Sequence, residues 1–196
     1  MKVARVARAL TLNRLLTAIV FIAIFAMAVR APADTDTWWH LQSGRWILEE
    51  QSIPKTDPFS HTRYGEPWID HSWLAQVLLF LAYDGMGYAG LALLVAALAT
   101  LAFAFVWLQC RDTDRWLSAF LMIVAAATAS VIWAARPQMF SLALAAGFAA
   151  VLGGYRRGNR KILWWLPVLT LIWVNVHGGF AVGFILIVAT LFGEMG

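Results

Sequence analysis

The sequence predicts an all-α, polytopic membrane protein of about six transmembrane helices, with a long first extracytoplasmic loop that contains interfacial helices. Hydrophobic residues make up 61% of the 196-residue chain and charged residues only 13%. Soluble chains are about half apolar and a quarter charged. A soluble domain of this length leaves too much surface exposed to hide such a composition. The apolar runs are also punctuated by basic clusters, the arrangement that sets membrane topology. The formal charge of +4 therefore reads as a topology signal, with no nucleic acid among the expected partners. A single cysteine, Cys110, excludes an intrachain disulfide, and neither zinc spacing nor a glycine-rich nucleotide loop occurs.

The chain reads as one membrane module over residues 1–196. Lys2, Arg5, Arg8 and Arg14 precede the apolar run "LLTAIVFIAIFAMAV" from Leu15 to Val29. At 1.5 Å per residue that run covers about 22 Å, so the first span extends toward Leu10. "APA" at 31–33 also fits a signal-peptide cleavage site. The preferred reading is an uncleaved span, with Arg14 and Arg30 snorkelling to the two interfaces. Either reading places Asp34 outside the cytoplasm.

The extracytoplasmic loop covers 31–86. "TWWHLQSGRWILEE" has helical character with Asp36 or Thr37 as N-cap, and Trp38, Trp39 and Trp46 suit the headgroup level. "SIPKTDPFSHTRYGEPW" is irregular backbone. "HSWLAQVLLFLAY" reads as a second juxtamembrane helix, broken by "DGMG".

Transmembrane helices fill 87–196. Spans are expected from about Tyr88 to Gln109, from Trp116 to Ala135, and from Gln138 to Gly154, with Arg136-Pro137 as a tight reversal. After the basic loop "YRRGNRK", a run of 31 residues from Ile162 to Phe192 would measure about 46 Å as one helix, too long for a core of about 30 Å. Two short spans or a broken hairpin fit better. Basic residues at the N-terminus, at 111–115 and at 155–161 share one side, which makes the N-terminus cytoplasmic. The loop opposite carries eight acids against three bases.

The tripeptide "DTD" occurs twice, at 34–36 and 112–114. Asp112 and Asp114 lie between Arg111 and Arg115, whose guanidiniums can neutralise them in a solvated turn. Asp34 and Asp36 lead into the tryptophan-rich helix at the outer surface, with His40 one turn on. His40, His61, His71 and His177, together with Asp57 and Asp70, all fall on that side. An ionisable His177 deep in an apolar stretch is a functional-site candidate by default, although the glycines beside it also fit close helix packing. Asp36 as a plain helix cap, Asp57 as a turn starter and the tryptophans as a membrane belt are the structural alternatives.

"DTDTWWHLQSGRWI", "IPKTDPFSHTRYGEPWIDHSWLAQ", "ARPQMFSL" and "WVNVHGGFAVG" together resemble the N-terminal part of bacterial multispan GT-C-type glycosyltransferase-like proteins. The resemblance implies transfer of a sugar from a polyprenyl-phosphate carrier to a glycan, lipid or protein acceptor outside the cytoplasm. It implies a home in the bacterial cytoplasmic (inner) membrane, and an essential acid in the first outer loop, where Asp34 and Asp36 stand. Such proteins have about ten or more spans, so this chain is expected to be an N-terminal portion of a longer one. The resemblance also implies, in some relatives, a carboxylate just before the "WL" of the second loop helix, where this chain has Ser72 with Asp70 and His71 adjacent.

On this reading Asp34 or Asp36 serves as catalytic base, directly or as ligand of a divalent cation such as magnesium or manganese. Arg136, and second Arg63, contact the phosphate. His40, Asp57, Asp70, His71, Asn175 and His177 are supporting polar groups. The rival class is a noncatalytic membrane scaffold, or a subunit that binds lipid-linked sugar. A small transporter, suggested by the polar break at Asn175 and His177, is a third reading.

Overall fold

Runs rich in alanine and leucine leave the backbone few hydrogen-bond partners but itself, and the described residues, 11–195 of this computed structural model, are accordingly helical. Lys2, Arg5 and Arg8 lie outside the described residues, as does any extension of the first span to Leu10. Helix α1 is Leu12–Ala28, α2 is Thr37–Glu50 and α3 is Trp73–Gln109. Helix α4, Arg115–Ala129, runs on through a 3₁₀ turn at Ser130–Ile132, and α5 is Gln138–Arg156. A second 3₁₀ turn, Arg160–Trp164, enters α6 at Trp165–Val176. A third, Gly178–Phe180, leads into α7 at Ala181–Met195. The described residues contain no strand, only an isolated antiparallel bridge between Thr56 and Pro67 in the long loop.

Three helical segments are long and apolar enough to cross a membrane: Trp73–Gln109, Arg115–Ile132 and Gln138–Arg156. Helix α1 and the segment Gly178–Glu194 are apolar but shorter. The expected break near "DGMG" is present inside α3, where Gly87 takes φ 59° and ψ −141° and kinks the helix. The expected span to Ala135 stops earlier, and Trp133 is already extended at ψ 110°. Pro137 has no N–H to donate to the Trp133 carbonyl, so a helix could not have continued unbroken into α5. The 31-residue apolar run is broken as expected, with His177 extended at φ −169° between two short helices.

Helix α3 is the central post, touching α1, α2, α5 and α6. Its arm at 88–109 buries Ala92, Ala96, Ala99 and Ala102. Small residues at this spacing let helices approach closely, the main source of association where lipid removes the hydrophobic drive. Helix α1 buries Val20, Ile24 and Ala28 as one stripe against α3 and α4. The first arm of α3 receives α2, whose Gly44 sits so close to the Gln76 carbonyl that a Cβ would fall on its oxygen. Outward faces carry Ile22, Phe120, Val131, Leu171 and Ile185, all well exposed. A surface this apolar suits hydrocarbon better than water.

Candidate functional site

The link from Trp133 to Pro137 brings Arg136 to the start of α5, opposite the loop that precedes α2. There Arg136 bridges both carboxylates of the first DTD. One Nη lies 3.3 Å from Asp34 Oδ2 and the other 2.7 Å from Asp36 Oδ2. Asp34 Oδ1 accepts the Asp36 backbone N–H at 2.9 Å, which holds the two acids side by side. Thr37 Oγ1 donates to the Ala135 carbonyl at 3.3 Å and fastens the start of α2 to the same link. Asp36 occupies the N-cap position of α2, yet its side chain makes no cap hydrogen bond. It is turned onto the guanidinium instead.

The second DTD behaves differently. Asp114 Oδ1 accepts the backbone N–H groups of Trp116 and Leu117, capping α4. No ion pair joins Asp112 or Asp114 to Arg111 or Arg115 among the described residues. Arg115 lies over the Trp107 ring instead, 5.4 Å from its centroid. The same tripeptide is a helix cap in one place and half of an ion cluster in the other.

His40 follows one turn after Asp36 and is 4% exposed. Burial first, and the Arg136 guanidinium second, push its imidazole down to about 4, with Asp34 pulling the other way. His40 is therefore neutral at physiological pH. Its ring lies 3.7 Å from the Trp39 ring, centroid to centroid, and its buried Nδ1 has no partner. The Arg136 Nε is likewise buried and unpartnered. Unpaired polar atoms beside a triad of charges mark a place where the protein's own hydrogen bonding is incomplete.

His177 sits at the break between α6 and α7. Its Nδ1 is 2.8 Å from Ser141 Oγ and accepts the Gly179 N–H at 3.1 Å. Ser141 in turn accepts the Trp173 indole N–H at 2.6 Å. The serine proton is thus directed at Nδ1, and the neutral ring carries its own proton on Nε2. His71 rests against the same break, since a Cβ at Gly178 would stand 3.2 Å from its Cδ2. Asn175 docks α6 on α3 by accepting the Trp73 indole N–H at 3.0 Å. Asp70 is buried at the entrance to α3, where Oδ1 accepts the Ser72 N–H and the Gln76 amide. Burial raises its carboxyl above the ordinary range, and its Oδ2 is unpartnered.

Asp57 and Arg63 stand apart from this cluster. Asp57 Oδ1 accepts the Phe59 and Ser60 N–H groups, and the Ser60 hydroxyl first, with those backbone bonds, holds its carboxyl below the ordinary range. Arg63 pairs with Glu66 at 2.8 Å. Both line an open cleft of about 290 Å³ walled by Trp39, Phe59 and Trp68.

A second cavity, of about 310 Å³, opens beside the ion triad. Asp34, Arg30 and Trp133 line it, and the buried Trp133 indole N–H has no partner. Arg30 is anchored through the carbonyls of Met27 at 2.7 Å and Ser130 at 3.1 Å, so it joins α1 to the end of α4. The sequence reading missed Ser141, Trp173, Trp133 and Gln76. Ser141 lies within the quoted "ARPQMFSL", but nothing local to it signals a histidine partner on another helix.

No group of three or more histidine, cysteine, aspartate or glutamate side chains suited to a metal ion occurs among the described residues. Asp34 and Asp36 are two carboxylates already shared with a guanidinium. No protein-family model matches the sequence, no curated protein matches it, and no solved structure matches its fold.

Proposed function

We propose that the chain belongs to a multispan membrane glycosyltransferase of the GT-C type. It takes a sugar from a polyprenyl-phosphate carrier to a glycan, lipid or protein acceptor at the end of the bundle that carries Asp34, Asp36 and Arg136. One observation supports this above the others: a guanidinium held between two carboxylates, beside a cavity of about 310 Å³ lined by Arg30 and Asp34. Phosphate competes with carboxylate for guanidinium in the same bidentate geometry. On donor binding Arg136 turns to the phosphate and stabilises its leaving charge. The carboxylate it releases, Asp36 or Asp34, takes the proton of the acceptor hydroxyl as that oxygen attacks the anomeric carbon and the bond from carbon to phosphate oxygen breaks. Buried and neutral, His40 adds no charge to oppose the proton transfer.

In the same reading α1 and the two arms around His177 also enter the bilayer, giving about six spans. The N-terminus is cytoplasmic, and the loop containing α2 lies outside the bacterial inner membrane. A noncatalytic, sugar-lipid-binding role is the second reading. It is favoured by the ion triad itself, because both carboxylates are already engaged by Arg136.

Membranes containing the full-length protein, supplied with a polyprenyl-phosphate-linked radiolabelled sugar, separate the two. Asp36→Asn should retain donor binding and lose transfer by at least about a hundredfold, the scale of a lost general base. Arg136→Gln should weaken binding itself. Unchanged transfer in both variants would overturn the site. Donor binding without transfer by the wild type would leave the binding role.

A further inference from the structure

The end of the bundle away from Arg136 has its own site. Helix α5 begins beside Arg136 and ends at Arg156, and its 19 residues separate the two ends by about 28 Å. At this far end a groove of about 680 Å³ lies between α3, α5 and α6. Phe105, Leu108, Val151, Ile162 and Leu169 wall it, and Gly147 and Gly154 on α5 let Phe105 and Ile162 pack close to that helix. At Gly154 a Cβ would meet Ile162 Cδ1 at 2.8 Å, and at Gly147 it would meet the Phe105 ring at 3.3 Å. The volume lies within the range of sites that hold small apolar ligands.

The polar groups lining the groove are of one sign. Arg111, Arg157 and Asn159 line it, and no acidic side chain does. All three are exposed, and neither guanidinium has an ion pair or hydrogen bond among the described residues. Three of the neighbouring charged groups are engaged elsewhere, and Asp112 does not line the groove. Asp114 caps α4, Arg156 pairs with Glu194 at 3.2 Å, and Arg115 covers Trp107. Of the basic run at 155–161, only Arg157 lines the groove. Two unneutralised guanidiniums above an apolar trough match one kind of molecule, an amphiphile with an anionic head and a hydrocarbon tail.

We propose that this groove binds an anionic phospholipid, with its phosphate between Arg111 and Arg157 and the start of one acyl chain along Val151, Ile162 and Leu169. Asn159 offers its amide to a phosphate oxygen. The site is separate from the ion triad and needs no catalytic role there.

Native mass spectrometry of the full-length protein released from detergent micelles, loaded with dioleoylphosphatidylglycerol or dioleoylphosphatidylcholine, tests the site directly. The wild type should retain the phosphatidylglycerol preferentially. Charge-assisted hydrogen bonds from the two guanidiniums hold the phosphate, so Arg111→Gln with Arg157→Gln should lower retention by at least roughly tenfold. Arg156→Gln and Arg160→Gln, which remove equal charge outside the groove, should leave it unchanged. Ala150→Phe, which narrows the trough with both guanidiniums in place, should lower retention as well. Circular dichroism and elution volume identify any variant that fails to fold, in which case Arg157→Gln alone carries the comparison. Equal retention of the two lipids, or equal losses from Arg156→Gln and Arg157→Gln, would overturn the site. Full displacement of the lipid by glycerol 3-phosphate would show a free-phosphate site, and retention unaffected by Ala150→Phe would show a surface charge effect. Either result overturns a lipid groove.

Discussion

Acidification should destabilise the docking of α2, and His40 sets the size of the effect. Its imidazole titrates at about 4 in the folded protein against 6.5 when free, chiefly because it is buried. Between those values the unfolded chain binds the proton and the folded one does not, so falling pH favours unfolding. The stabilisation is complete above the free value and is lost as pH falls from 6.5 toward 4. At 1.36 kcal/mol per pH unit this amounts to about 2 kcal/mol between about pH 7 and pH 5, and about 3 kcal/mol in all. Asp70 works in the opposite direction, since burial raises its carboxyl and protonation favours the fold. Comparing the wild type with His40→Gln cancels that contribution. Denaturant unfolding in micelles, followed by tryptophan fluorescence, should show the wild type losing about 2 kcal/mol more than the variant over that interval. Parallel pH curves for the two proteins would refute the burial argument. So would a His40 ring signal that titrates near its free value in an NMR titration.

Two further outcomes follow from the packing. Gly44→Ala should lower stability by about 1–3 kcal/mol, because its methyl would fall on the Gln76 carbonyl and force α2 off α3. Thermal unfolding in micelles measures this, and Gly193→Ala, where a Cβ meets nothing, is the control. Asp114→Ala should cost about 1 kcal/mol through the lost α4 cap, while Asp112→Ala should stay within about 0.5 kcal/mol. Equal effects from the two aspartates in the same unfolding experiment would contradict the cap assignment.

Much of the helical framework is legible in the sequence because its causes are local. "DGMG" announces the break at Gly87, Arg136-Pro137 the reversal before α5, and the polar "NVHGG" the break between α6 and α7. The alignment of Asp34 with Arg136 is not local, since the partners lie 102 positions apart. The charge pattern predicts both at one membrane face, but only the path of α3 and α4 between them sets Arg136 against the two carboxylates. The two DTD copies make the same point. Asp114 makes no ion pair among the described residues and accepts the nearest free N–H groups, as a short acidic side chain at a helix start ordinarily does. Asp36 stands at an equivalent helix start and leaves its cap unmade because a guanidinium is opposite. His177 was recognisable as a costly residue in an apolar run, whereas its partners Ser141 and Trp173 come from two different helices.

The charge of the triad constrains any chemistry at this end of the bundle. Two ionised carboxylates around one guanidinium leave a net charge of about −1, and a neutral His40 does not offset it. An anion approaching such a cluster is repelled unless it takes Arg136 for itself. A phosphate can do so because it offers the guanidinium the same paired acceptors with more charge. On the proposed reading, the carboxylate left behind has lost its guanidinium partner and is free to accept the hydrogen bond of an acceptor hydroxyl. On that reading, exchange of partners at Arg136 frees a carboxylate for the acceptor only when an anionic donor arrives. A permanent arginine–phosphate site without the two acids would bind the donor and do nothing to activate an acceptor.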